Sequence, residues 1–157
     1  MEENKFVMSF VDKSVKVNRY DNRMVASMKS GFKFTRLDAI FERAGFKTLP
    51  EFVVNIFDAN GYKKDHKCGM WVTKCVGVAQ CSPDDEFDEV RGRRIAISRA
   101  KKDGYWKGMC VMSEISNTLY KIMCTCDNTV DELMKFDDNE DKAIENVIEY
   151  GVSNPKK

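Results

Sequence analysis

The sequence predicts an α+β domain in which a small antiparallel sheet packs on two long C-terminal helices. Three observations lead there. The run from Met70 to Cys81, MWVTKCVGVAQC, is rich in β-branched residues and of strand length. Apolar residues recur at helical spacing from Val90 to Cys126. Ser82-Pro83-Asp84-Asp85 breaks the chain between the two. At 157 residues the chain has room for a single domain with a real core, a mixed α/β part over about 1–83 and a helical part over about 84–151.

Lys and Arg number 26 against 25 Asp and Glu, so no long-range field draws in DNA or an acidic membrane, and any anion site must be local. No apolar run is long enough to cross a bilayer, and the start MEENKF lacks the charged and apolar regions of an export signal. The expected location is the cytoplasm of a host cell. The six cysteines are then expected reduced, most of them as small core residues. A zinc site could draw on His66 and Cys68 with Cys75, Cys81 or the pair Cys124 and Cys126, but these spacings fit paired zinc ligands poorly. No metal and no cofactor is expected.

The segments 6–10 and 14–20 alternate as strands, with Asp12 and Lys13 between them, and predict a short hairpin. From Thr35 the pattern is helical. Thr35 serves as N-cap, Asp38 complements the helix dipole, Leu37, Ile40, Phe41 and Ala44 share a face, and Gly45 is the stop. Pro50 and Glu51 suit the start of a second helix with Phe52, Val53, Ile56 and Phe57 as its apolar residues. The rival for 51–58 is a strand ending at the turn signal Asn60-Gly61; the helix is favoured. Two short helices around a glycine invite a helix-turn-helix reading. The second, however, offers mainly acids where a recognition helix presents Arg, Asn, Gln or Lys. Lys63, Lys64 and Lys67 read as a solvated face.

In the strand from Met70, Val72, Val76 and Val78 point one way while Trp71, Thr73, Cys75, Ala79 and Cys81 point the other. Both faces look covered. Gly77 either weakens the strand or admits another backbone or a ligand. Asp84, Asp85, Glu86, Asp88 and Glu89 then precede a helix from Val90 to Lys102, where negative charge suits the helix start. A hard divalent cation is the minor reading, since the order lacks the pattern of a calcium loop. On this helix Val90, Ala96, Ile97 and Ala100 form an apolar face with Arg93 in the same arc and Arg99 on its flank. A part-buried arginine needs a partner: Asp85 or Asp88 internally, or the phosphate or carboxylate of a ligand.

The order Gly77-Val78-Ala79-Gln80-Cys81-Ser82-Pro83-Asp84-Asp85-Glu86-Phe87-Asp88, followed by Gly92, Ile95-Ala96, Arg99-Ala100 and a trailing Lys, resembles a segment of small proteins from phages and mobile elements of Gram-positive bacteria. It covers under a fifth of the chain. The resemblance implies an accessory protein that counters host defence. In outline, a β-region followed by long helices is also similar to phage anti-Thoeris sponge proteins, which sequester cyclic nucleotide signals.

A second helix is expected from about Tyr105 to Cys126, with Val111, Met112, Ile115, Leu119, Ile122, Met123 and Cys126 in one arc as core or dimer seam. Tyr105 and Trp106 either anchor the turn between the helices or stack on a base. Asp127-Asn128-Thr129 predicts the start of a short helical segment, and 137–141 the cap of a last one ending at Gly151.

With one histidine, in a lysine-rich loop, and no nucleophile or phosphate-loop motif, the chain is expected not to be an enzyme. The leading expectation is a non-catalytic accessory binder, an oligomer that sequesters a cyclic nucleotide through Arg93, Arg99, Arg94, Tyr105, Trp106 and Asp88. The alternatives are an inhibitor of a host defence protein and a nucleic-acid regulator. The last requires Arg91, Arg94, Lys101 and Lys102 in one exposed stripe.

Overall fold

The structure, a computed structural model, describes residues 8–32, 39, 41–67 and 69–150, and for Tyr150 the backbone alone. It is an α+β fold with a four-stranded antiparallel sheet. The strands are β1 (Met8–Tyr20), β2 (Arg23–Phe32), β3 (Lys63–Asp65) and β4 (Met70–Gln80), in spatial order β1-β2-β4-β3. Helix α1 (Glu51–Ala59) precedes β3, and one helix, α2 (Glu89–Tyr150), follows β4. Two compact units result, Met1–Ile115 and Ser116–Lys157.

The two long helices expected at the C-terminus are therefore one, and the residues that suggested interruptions explain why. Gly104 is buried, and a Cβ there would sit 2.9 Å from both Cys75 Sγ and Phe10 Cε1. It is a packing glycine rather than a stop. Thr125 and Thr129 donate their hydroxyls to the carbonyls of Lys121 and Thr125, at 2.9 and 2.8 Å. Such bonds to the preceding turn occur within a helix and cap nothing.

The first hairpin also differs from expectation. Segments 8–10 and 14–20 belong to a single strand, with a register shift between Val11 and Lys16 against β2. Ser14 fills the irregularity, donating to Val11 O at 2.6 Å and accepting from Lys29 N at 2.7 Å. The turn lies at Asp21-Asn22, where Asp21 takes a φ of 49°, a conformation Asp tolerates better than most residues. The strand β2 had no counterpart in the sequence reading, although Met24, Ala26, Met28, Ser30 and Phe32 are all buried at period two.

Both short helices end in the same way. Phe46 N donates to Phe41 O and Gly45 N to Glu42 O, with Gly45 at φ 90°. Tyr62 N donates to Phe57 O and Gly61 N to Asp58 O, with Gly61 at φ 78°. Each is a Schellman cap, sealed by an aromatic pair, Phe41 with Phe46 and Phe57 with Tyr62. The helix reading of 51–58 is thus correct, with Pro50 as its N-cap. Of the earlier helix, Thr35, Leu37, Asp38 and Ile40 lie outside the described residues.

One face of the sheet carries the core. Phe32, Val53, Phe57, Tyr62, Trp71, Val111 and Ile115 form one cluster, with Trp71 stacked on Phe57 at 5.2 Å. Met24, Ala26, Met28, Cys75, Ala79, Ala96 and Ala100 form the other. Gly77 is buried beneath α2, where a Cβ would overlap the backbone of Ala96 and Ala100. Of the two readings of this glycine, close approach of another backbone is the one realised. The opposite face of β4 is exposed at Lys74, Val76 and Val78, so the expectation that both faces are covered fails. Among the described residues, α2 and α1 both pack on the same side of the sheet.

Among the described residues the buried Tyr62 hydroxyl has no partner in hydrogen-bonding geometry, although Ser30 is near enough to moderate its ionisation. Burial, reinforced by the neighbouring Cys75, pushes its pKa far above the ordinary phenol value. An unpartnered buried hydroxyl contributes nothing a phenyl ring lacks. Tyr62→Phe is therefore expected to leave stability within about 1 kcal/mol of the parent or raise it. A urea titration showing a loss of about 2 kcal/mol or more would mean the hydroxyl is bonded.

Candidate binding surface

The β4–α2 junction is built from the segment that stood out in the sequence. Asp85 N donates to Ser82 O at 3.1 Å, closing a turn, and Asp88 Oδ1 accepts from Arg91 N at 3.0 Å as N-cap of α2. Cys81 exchanges bonds with Asn22, 2.9 Å through its own N–H and 3.2 Å through its carbonyl, tying the junction to the β1–β2 turn. Arg19 lies 4.3 Å above the Phe87 ring and 3.4 Å from Glu89. A cleft of about 420 Å³ opens here, lined by Cys81, Ser82, Asp85, Glu86, Asp88 and Arg91 among others. Its rim holds three carboxylates and one guanidinium, a balance that disfavours an anionic ligand.

Of the six proposed ligand contacts, Asp88 alone lines this cleft. Arg93 is exposed rather than part-buried, a correction to its place in the apolar arc. The stripe of α2 that meets the sheet runs through Gly92, Ala96 and Ala100, with Gly92 against Met24, and Arg93 lies off that stripe. Arg99 donates to Val78 O at 2.6 Å; its partner is a strand carbonyl rather than Asp85 or Asp88. Arg94 lines a shallow depression with Ile97, Ser98 and Lys101. Tyr105 packs edge-on against Phe10 at 5.2 Å but is half exposed, and Trp106 is 64 % exposed. No turn exists for these two to anchor, because α2 runs through them. Neither the β4–α2 cleft nor the depression at Arg94 is lined by Arg93, Arg99, Tyr105 or Trp106.

Arg99 belongs to a different arrangement that the sequence reading missed. Beyond the end of β3, the outer edge of β4 has no neighbouring strand among the described residues. Three side chains one turn apart on α2 take its place. Arg99 donates to Val78 O, Asp103 Oδ2 accepts from Val76 N at 3.0 Å, and Lys107 donates to Lys74 O at 2.8 Å while pairing with Asp103 at 2.9 Å. The i, i+4, i+8 spacing in the sequence was the available signal.

Arg91, Arg94, Lys101 and Lys102 are all exposed and fall within about 100° of the α2 circumference, the stripe a nucleic-acid reading requires. From Val90 to Lys102 the helix carries six cations and no acid, whereas from Ser116 to Tyr150 acids outnumber bases nine to three.

Many large apolar side chains of α2 are exposed. Ile95, Tyr105, Met109, Leu119, Met123, Val130, Leu133, Ile144 and Val147 are exposed, Leu133 by 60 % and Met109 by 56 %. They fall on the a and d positions of one heptad register that Ser98, Lys102, Ser116, Asp137 and Glu140 interrupt, while Trp106, Tyr120, Ile122, Met134, Phe136 and Ile148 are exposed off that register. The sequence reading stopped this stripe at Cys126 and placed it on the arc of Val111 and Ile115, which are buried in the core.

The thiols offer little chemistry. Among the described cysteines Cys75 alone is buried; Cys81, Cys110 and Cys124 are half-buried and Cys126 is exposed, contrary to the expectation of mostly buried thiols. Burial pushes the Cys75 thiol up despite its contact with Ser30 at 3.0 Å. Cys68 lies outside the described residues. Among those described, no three His, Cys, Asp or Glu side chains cluster as a metal site, and no helix is long and apolar enough to cross a membrane. Comparison of the chain with family models, curated proteins and solved structures finds no match.

Proposed function

We propose that the protein is a non-catalytic accessory binding protein that works by protein–protein association in the host cytoplasm, with the exposed apolar side chains of α2 as its binding element. One observation carries the reading: large apolar side chains remain exposed along most of α2, Glu89–Tyr150. A helix owes most of its stability in water to packing of its apolar face, and large apolar side chains left exposed along it suit an interaction site. The likeness of 77–102 to accessory proteins of phages and mobile elements supports the class, an antagonist of host defence.

Replacing Met109 and Leu133 together by Asp is expected to weaken association by about a hundredfold or more while leaving the unfolding of the sheet unit unchanged. The measurement is sedimentation of the full chain, alone and mixed with lysate of virus-challenged cells. A parent chain that stays monomeric and joins nothing in either setting would exclude the reading.

The basic arc favours a second reading, capture of a phosphate-bearing nucleotide signal at Arg91, Arg94, Lys101 and Lys102. Mass spectrometry of small molecules released by heating separates the two, because sequestration requires a nucleotide in stoichiometric amount.

A further inference from the structure

We infer that the face of the sheet turned away from α1 and α2 binds a single strand of nucleic acid, with the backbone along a line of four lysines and the bases toward Tyr20. The surface is separate from the exposed apolar residues of α2 and lies wholly within the unit Met1–Ile115, so it stands or falls independently of protein association.

The line follows from the register. Lys29 of β2 stands directly opposite Lys74 of β4. On β1, Lys16 pairs with Ser27, two residues from Lys29, and on β3, Lys63 pairs with Val72, two residues from Lys74. Because alternate residues share a face, Lys16, Lys29, Lys74 and Lys63 form one diagonal across the four strands in their spatial order. Opposed residues on neighbouring strands stand about 5 Å apart and diagonal ones about 7–8 Å, so the charges follow one another at short steps. All four lysines are exposed, and among the described residues none of their ammonium groups has an ion-pair or hydrogen-bond partner. Asp65, the one acid at a paired position of this face, accepts from Lys67 N at 2.9 Å. Asp103 at the β4 edge is held by Val76 N and Lys107, and Asp12 falls in the irregular stretch between Val11 and Lys16.

Like charges directly opposite one another on a sheet are destabilising. Solubility is served by interspersed charges of both signs and gives no reason to set Lys29 against Lys74. An anionic chain crossing the strands does give one. The rest of the face indicates which chain. At the hairpin end Arg23 stands between Tyr20 and Gln80, with Asn18 two residues before Tyr20 on the same face, and Tyr20 is 58 % exposed. A free ring for stacking, beside amides that both donate and accept, suits nucleic-acid bases. A run of carboxylates only accepts and would use neither the ring nor the amide oxygens. A duplex is disfavoured, because its major groove admits a helix or a two-stranded ribbon rather than four strands side by side.

The test is fluorescence anisotropy of the full chain with a labelled mixed-sequence strand of about 12 nucleotides, as DNA and as RNA, over a series of salt concentrations. Binding is expected with a log–log salt slope of about −3, each of four phosphates contributing about 0.7. Lys29→Gln combined with Lys74→Gln is expected to flatten that slope by about 1.4 and to leave the urea midpoint at or above the parent's, since a like-charged pair is removed. Tyr20→Ala is expected to weaken binding about tenfold at an unchanged slope. No binding at low salt, or tighter binding of the matching duplex, overturns the inference. Loss through Arg94→Gln with Lys101→Gln, while the lysine pair proves neutral, overturns it by moving the site to α2. Displacement of the strand by polyglutamate at equal charge, with Tyr20→Ala without effect, overturns it in favour of an acidic protein partner.

Discussion

Gly77→Ala is expected to cost at least about 3 kcal/mol and to leave little folded protein at ambient temperature. The argument is one of space. A methyl group on Gly77 would overlap the carbonyl oxygen of Ala96 and the amide of Ala100, and would lie 2.8 Å from the Arg99 carbonyl carbon. All three are backbone atoms of α2, which cannot yield by a rotamer change. The helix would have to lift from β4, separating Ala96 and Ala100 from Cys75, Ala79 and Met28 in the same cluster. Natural domains have only about 5–15 kcal/mol in reserve. Gly92→Ala is the control, since its Cβ would meet the Met24 side chain at 3.1 Å, a flexible neighbour, and alanine favours a helix interior by about 1 kcal/mol. Urea unfolding followed by circular dichroism should place Gly92→Ala near the parent and Gly77→Ala far below it. Equal midpoints would mean that α2 does not approach β4 this closely.

The same glycine shows what the sequence could disclose. The strand Met70–Gln80 was legible through its β-branched residues and alternation, and Gly77 within it left two readings open, a weak point or a close approach. Helix α1 was legible through Pro50, Glu51 and the paired apolar residues. The strand β2 was hidden by composition, since Met24, Ala26, Met28 and Ser30 are weak strand formers whose alternation shows only once their burial is known. In α2 the local signals misled. Gly104 and the Asp127-Asn128-Thr129 sequence are punctuation in isolation, yet sheet packing and bonds to the preceding turn absorb them. The candidate site suffered from the same cut: a helix divided at Gly104 and Cys126 cannot display apolar residues exposed from Ile95 to Val147. Arg93 and Arg99 stood out by charge alone, and charge does not reveal that Val78 O lies within reach of Arg99.

Asp103→Ala is expected to destabilise the fold by about 2 kcal/mol, more than any other single truncation along the β4 edge. Asp103 receives the Val76 amide and holds Lys107, and both are left without it when the carboxylate goes. Its side chain is 29 % accessible and that of Lys107 is 35 %, so water restores part of the loss and the ion pair itself is worth little. The unsatisfied strand amide supplies the larger share. Arg99→Ala frees only a carbonyl near solvent, Lys107→Ala a carbonyl and one bond to the part-exposed Asp103 carboxylate, and about 1 kcal/mol is expected for either. Arg93→Ala should change nothing measurable, because an exposed residue away from caps and cores seldom does. A double-mutant cycle on Asp103 and Lys107 should return a coupling of about 0.5–1 kcal/mol. The ranking bears on function as well as on stability. If Arg99→Ala proved neutral while Arg93→Ala destabilised the fold, the edge arrangement would be wrong and Arg99 would return as a free cation for a ligand. If the ranking holds, Arg99 closes a strand edge that would otherwise invite pairing with another chain, and association is left to the helix.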